Sequence, residues 1–242
     1  MTYCLGILLH EGLVLASDSR SNAGIDQVAK VNKLEVISQP GERVIVILSA
    51  GNLATTQAVV TSLREASSGQ GLGLPEDDLR TAHTLFDAAT TVGAALRRVV
   101  ERDGQFVKAF ADPSASFIVG GQIKGEAPRL FEIYSAGNFI EASARSSFIQ
   151  IGETKYGKPI LDRALGPDTD LAEAAKLALL SFDATIRSNL SVGPPIDMVR
   201  YRADSFEATV TTFEEQDPYF RLMRQAYAEG LSALVNSLPA PP

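Results

Sequence analysis

Apolar positions follow two different periods along this chain, and the segments come in blocks. In the first fifty residues, short apolar runs at 2–9, 13–17, 33–38 and 43–50 are separated by polar and glycine-containing joins such as His10-Glu11-Gly12. Runs of that length with hairpin punctuation predict β-strands. Val44-Ile45-Val46-Ile47-Leu48 shows no polar alternation, the pattern of a strand covered on both faces. A layer must therefore lie on each side of this sheet.

The period then lengthens. Residues 53–66 are helix-compatible, a Gly/Ser-rich loop follows at 67–73, and 80–102 places Leu85, Ala89, Val92, Leu96 and Val99 on one stripe. Strands are predicted again at 115–122, 129–134 and 146–151. Two helices follow, 155–165 with Gly166-Pro167 as the stop and 170–189 behind an Asp168/Thr169 cap. Strands at 196–202 and 206–213 precede a helix over 217–237, opened by Asp217-Pro218, and a proline-rich tail. Helices segregated from hairpin-connected strands predict an α+β fold, with antiparallel sheets between helical layers and not a doubly wound parallel sheet. With neither a repeat nor a linker, residues 1–242 read as one domain.

Composition narrows the function. The 242 residues are 45% hydrophobic and 21% charged, and no apolar run approaches the ~20 residues of a membrane span. The start lacks the basic and apolar regions of a secretory signal, so cytoplasmic residence is expected. A net charge of -7, with no basic run longer than Arg97-Arg98, argues against nucleic acid. One cysteine and two histidines leave no material for a disulfide or a metal cluster, so no cofactor or metal is expected. Both histidines, His10 in a hairpin turn and His83 near a helix start, read as non-catalytic. Cys4 reads as a small buried hydrophobe.

Chemistry begins at the second residue. Thr2 follows Met1 and is small enough for Met1 to be removed, freeing an α-amine. With a pKa of about 7.7 to 8.0, that amine can accept the proton of the Thr2 hydroxyl, so one residue supplies nucleophile and base. Alone, Met-Thr is an ordinary chain start. Asp18 ends a strand able to hairpin back beside Thr2, and a partly buried Lys33 opposite it would set a positive charge by the hydroxyl. In Leu48-Ser49-Ala50-Gly51-Asn52 a buried strand ends as a helix begins, where the Gly51 amide can face an oxyanion.

Thr2, Asp18-Ser19-Arg20, Lys33 and Ser49-Ala50-Gly51 together resemble the N-terminal half of a proteasome β-type subunit of the Ntn-hydrolase superfamily. A Met-Thr start without a propeptide is similar to the bacterial groups, HslV and the Anbu (ancestral beta subunit) branch. Gly152 to Pro159 and Ser188 to Asp197 look closest to Anbu. The resemblance implies a four-layer αββα sandwich and a threonine peptidase with Thr2 as nucleophile, its amine as base, Lys33 as the active-site lysine, acting either as a charge that favours the alkoxide or, if desolvated to neutral, as a proton acceptor itself, Asp18 as its acidic partner and Gly51 as oxyanion donor. Arg20 would brace the Asp18 loop. It also implies a peptide or protein substrate and a homo-oligomeric ring or open helical assembly, the partner unfoldase being unknown. The apolar helix 170–189 would offer a surface to another subunit.

Two positions depart from the family pattern. Glu153 stands where a serine is usual, and in Ser188-Asn189-Leu190-Ser191-Val192 the family's Asp becomes Ser188 while Ser191 fits. A carboxylate at 153 would either raise the pKa of the Thr2 amine or pair with it and fix its geometry. Ser21, Val31, Glu35, Ser49 and Leu53 fall at the family's substrate-pocket positions and imply a mixed polar and apolar pocket. Two alternatives stay open: a non-catalytic assembly subunit, which the departures favour and Thr2, Asp18 and Lys33 together oppose, and an amidase for a small amide substrate, since the nucleophile does not dictate substrate size.

Overall fold

The computed structural model describes residues 2–22, 28–166 and 168–241; Met1 and Pro167 of the expected processing site and helix stop lie outside them. Two five-stranded sheets carry the fold, and every strand pair in them is antiparallel. The first has the order β10 (Phe148–Gly152), β1 (Tyr3–Leu9), β2 (Gly12–Asp18), β11 (Ile196–Arg202), β12 (Val210–Phe213). The second runs β5 (Leu34–Gln39), β6 (Arg43–Gly51), β7 (Ala115–Ile123), β8 (Arg129–Ile133), β9 (Phe139–Glu141). A short ribbon, β3 (Arg20–Asn22) with β4 (Val28–Lys30), projects beyond β2.

Alternation along the strands sorts the apolar residues into three layers. On β6, Val44, Val46 and Leu48 face the first sheet and pack with Leu15 and Ile118. Ile45 and Ile47 face the other way, against helices α1 (Leu53–Ala66) and α2 (Leu85–Val107). This is the strand without polar alternation, and each face has its cover. The first sheet turns Tyr3, Leu5, Val14 and Ala16 toward α3 (Lys158–Ala164), α4 (Leu171–Ser188) and α5 (Pro218–Ser237). The result is the expected αββα order of layers. Between the sheets, the Tyr201 hydroxyl donates to Gln122 Oε1 at 2.7 Å, and Gln122 Nε2 donates to Asp204 at 2.7 Å, so a buried amide is satisfied from both sides.

Local chemistry explains where elements start. Asn52 caps α1 by accepting from the Thr55 amide. The helix expected from residue 80 begins at Leu85 because Thr84 and Asp87 form a capping box. For α4 the cap is Asp170, which accepts from Glu173 N, not Asp168 or Thr169; the Thr169 hydroxyl is engaged by Gly166 N. The last strand starts at Val210 and not at 206, since Asp204 and Phe206 occupy positive φ of 62° and 49° in the preceding turn. The three-residue strands β3, β4 and β9 are too short to carry a periodic signal.

The stripe of α4 expected to meet another subunit is taken up inside the chain: Ala174, Ala178 and Phe182 are fully buried against the first sheet. Exposed apolar side chains lie instead on α5, including Leu222, Leu231, Leu234 and Val235. Among the described residues no helix is long and apolar enough to cross a membrane. Phe182 packs at a tilt against Tyr3 with ring centroids 4.5 Å apart, so Phe182→Ala is expected to cost about 3–5 kcal/mol. A urea titration showing a loss below about 1 kcal/mol would contradict this packing.

Candidate active site

The hairpin of β1 and β2 pairs Cys4 with Ser17, and the next rung sets Tyr3 beside Asp18. Asp18 is fully buried yet each carboxylate oxygen accepts twice. Oδ1 takes Lys33 Nζ at 2.7 Å and Tyr3 N at 3.0 Å, while Oδ2 takes Arg20 N and Gly193 N, both at 3.2 Å. Burial pushes the Asp18 carboxyl above its ordinary pKa, and Lys33 with the Tyr3 and Gly193 amides acts in the opposite sense. Lys33, its side chain 6% exposed, also donates to the Arg20 carbonyl at 2.6 Å. Its own carbonyl accepts from Ser49 N, which ties the lysine to β6. The head of Lys33 is thus held by Asp18 and the Arg20 carbonyl while its backbone is tied to β6.

Arg20 reaches across to the segment after α4. Its Nη1 donates to Leu190 O at 2.8 Å, and a Cβ on residue 193 would lie 2.3 Å from the guanidinium carbon. Only glycine lets Arg20 lie over this backbone while the Gly193 amide points at Asp18. On the other side of Thr2, Gly152 has φ +83°, and a Cβ there would lie 2.0 Å from the Thr2 carbonyl oxygen. That approach lets Glu153 N donate to Thr2 O at 2.7 Å.

The Glu153 side chain is buried and accepts from Lys155 N at 3.1 Å and Asn189 Nδ2 at 2.9 Å. Ser188, expected at the position of the family's Asp, is exposed at the end of α4. Its neighbour Asn189 makes the contact with Glu153, and the Asn189 side chain also accepts from Ser191 N at 3.0 Å. Ser191 is half-buried in this loop.

A cavity of about 290 Å³ opens between Thr2 and α1. Thr2, Lys33 and Gly51 line it together with Ser21, Val31, Glu35, Ser49 and Leu53; Asp18, Arg20, Glu153, Ser188 and Ser191 do not. Sequence reasoning missed Gln57, Val60 and Arg64, which also line it. The signal was available: from Leu53 these fall at i+4, i+7 and i+11, one face of a helix. Cys4 is buried on the Thr2 side of β1, with Sγ 3.5 Å from Ser49 O, and burial pushes its thiol up, away from the reactive thiolate. His10 and His83 are exposed and outside this cavity. Among the described residues no three His, Cys, Asp or Glu side chains form a group able to hold a metal.

Comparison with known proteins gives the family of the chain. Residues 2–200 match the family model for proteasome subunits. The chain belongs to the proteasome subunit family. Solved structures place it in the Anbu branch: the chain is 44% identical to Anbu (ancestral beta-subunit) from Yersinia bercovieri, covering 99% of this chain and 98% of that one, with a TM-score of 0.92. An Anbu mutant from Hyphomicrobium sp. strain MC1 is 48% identical over 100% of both chains, with a TM-score of 0.90. The Anbu complex from Pseudomonas aeruginosa, described as a helical assembly, is 46% identical over 99% and 98%, with a TM-score of 0.92. A curated relative, proteasome subunit beta 2 of Pyrobaculum calidifontis, is 27% identical over 81% of this chain and 86% of its own length.

Removing the central carboxylate strands Lys33 as a buried charge. Asp18→Ala is expected to cost about 3–5 kcal/mol, measured as a lowered urea midpoint. A cost near zero would mean that the pair does not hold the three segments together.

Proposed function

We propose that this Anbu-branch chain is a threonine-type peptidase that reacts through Thr2 once Met1 is removed. The observation that supports it most directly is the Lys33 ammonium, held 2.7 Å from Asp18 on the wall of the cavity that Thr2 lines. A cation fixed there lowers the cost of an alkoxide on the Thr2 hydroxyl. With a carboxylate beside it, Lys33 works as a charge, and the base is the α-amine of Thr2.

Thr2 Oγ attacks a peptide carbonyl while its proton passes to the α-amine, and the Gly51 amide receives the oxyanion. Collapse breaks the peptide bond, and the leaving nitrogen takes the proton back from the ammonium. The acyl group stays on Thr2 as an ester. Water, deprotonated by the same amine, then hydrolyses the ester and restores the hydroxyl. Like the Pseudomonas relative, the chain would act as an assembly of its own copies, a reading supported by the exposed apolar residues of α5.

Glu153 favours one competing reading. A buried carboxylate beside Thr2 can pair with the freed amine and withhold it as a base, leaving a subunit that assembles without turnover. Intact mass and turnover of short peptide reporters separate the two. The peptidase reading expects loss of Met1, activity in wild type and a fall of about 10³-fold or more in Thr2→Ala. Protein with a free Thr2 and no turnover would support the assembly reading instead.

A further inference from the structure

The cavity beside Thr2 has an uneven charge balance. Among the described residues two cations line it, Lys33 and Arg64, and one carboxylate, Glu35. Lys33 is committed to Asp18 at 2.7 Å. Glu35 projects from β5, its side chain only 17% exposed, and its ion-pair partner among the described residues is Arg64 at 3.5 Å. Arg64 stands in the last turn of α1 with its side chain 55% exposed. Elsewhere in this protein an arginine satisfies a carboxylate far better: Arg129 grips both oxygens of Glu141 at 2.7 and 2.9 Å. The Glu35 contact is long, one-sided and made by a side chain that is still mostly in water.

We propose that this cavity selects a substrate side chain ending in a positive charge, lysine- or arginine-like, with Glu35 as its counter-ion and Arg64 as a partner that gives way. The substrate class deepens the peptidase reading and rests on it only where turnover is measured. An aliphatic stem would lie along Val31, Leu53 and Val60 and carry the cationic head to Glu35. An apolar side chain would strip water from Glu35 and return no hydrogen bond. An acidic one would face the half-buried Glu35 and gain only Arg64, whose charge is already shared and largely screened. Burial also raises the Glu35 pKa, with Arg64 offsetting it in part.

The test has two arms. In the first, wild type, Glu35→Gln and Arg64→Ala are assayed on fluorogenic peptides that differ only in the residue before the scissile bond: arginine, its neutral isostere citrulline, norleucine and aspartate. Arginine is expected to exceed citrulline by about tenfold or more in kcat/KM. Glu35→Gln should bring that ratio close to one, and Arg64→Ala should raise it. In the second, calorimetry measures binding of the matching arginine and citrulline peptide amides to Thr2→Ala, where no chemistry intervenes, and arginine should again bind more tightly. A preference for norleucine or aspartate, or an arginine-to-citrulline ratio near one, overturns the proposal while leaving the peptidase reading intact. So does equal or undetectable binding in the second arm. Arginine-selective binding without turnover by wild type supports this proposal and counts against the peptidase.

Discussion

One buried carboxylate organises the candidate site. Asp18 collects donors from three separate stretches of chain, at Tyr3, Lys33 and Gly193, and from Arg20 two residues along its own, and none of them can move alone without leaving an oxygen short of a partner in a dry interior. Such a group is costly to bury, and good geometry on both oxygens is what offsets the cost. Its value lies in position. It fixes a cation on one side of Thr2 and aligns the β1 backbone on the other, where the first sheet meets the ribbon of β3 and β4.

Close backbone approach does the rest. At Gly152 the chain passes so near the Thr2 carbonyl that no side chain fits, and at Gly193 the Arg20 guanidinium fills the space a side chain would need. These contacts clamp the segments flanking Thr2 from opposite sides, while the three apolar layers hold the two sheets that carry them. Glu153 belongs to the same clamp. Its amide holds Thr2 O while its carboxylate is held by Asn189 and Lys155, so the position read from the sequence as a departure from the family pattern is structurally engaged and not idle surface.

Much of this was legible in the sequence because the relevant signals are local. The short apolar runs beside Thr2 and up to Asp18, their hairpin join and the continuous apolar run of β6 all announce themselves within a few residues. Asn189 was missed because its partner Glu153 is distant in sequence, and Ser188, its neighbour, looked the better match by alignment. Arg64 was missed although the helical period from Leu53 leads to it. The apolar stripe of α4 shows that a helix face is hydrophobic, but pairing it with Tyr3 and not with a second subunit needs the sheet order β10-β1-β2-β11-β12. Strands of three residues carry no pattern to read.

The central claim is that Asp18, by holding Lys33, makes Thr2 reactive. It is tested most directly by intact mass after exposure to a peptide epoxyketone, which must bond both the amine and the hydroxyl of an N-terminal threonine. Wild type is expected to gain one adduct, mapped to Thr2, while folded Asp18→Asn gains it at least about a hundredfold more slowly. Equal rates of labelling in the two proteins, or no labelling of wild type with a free Thr2, would contradict the account.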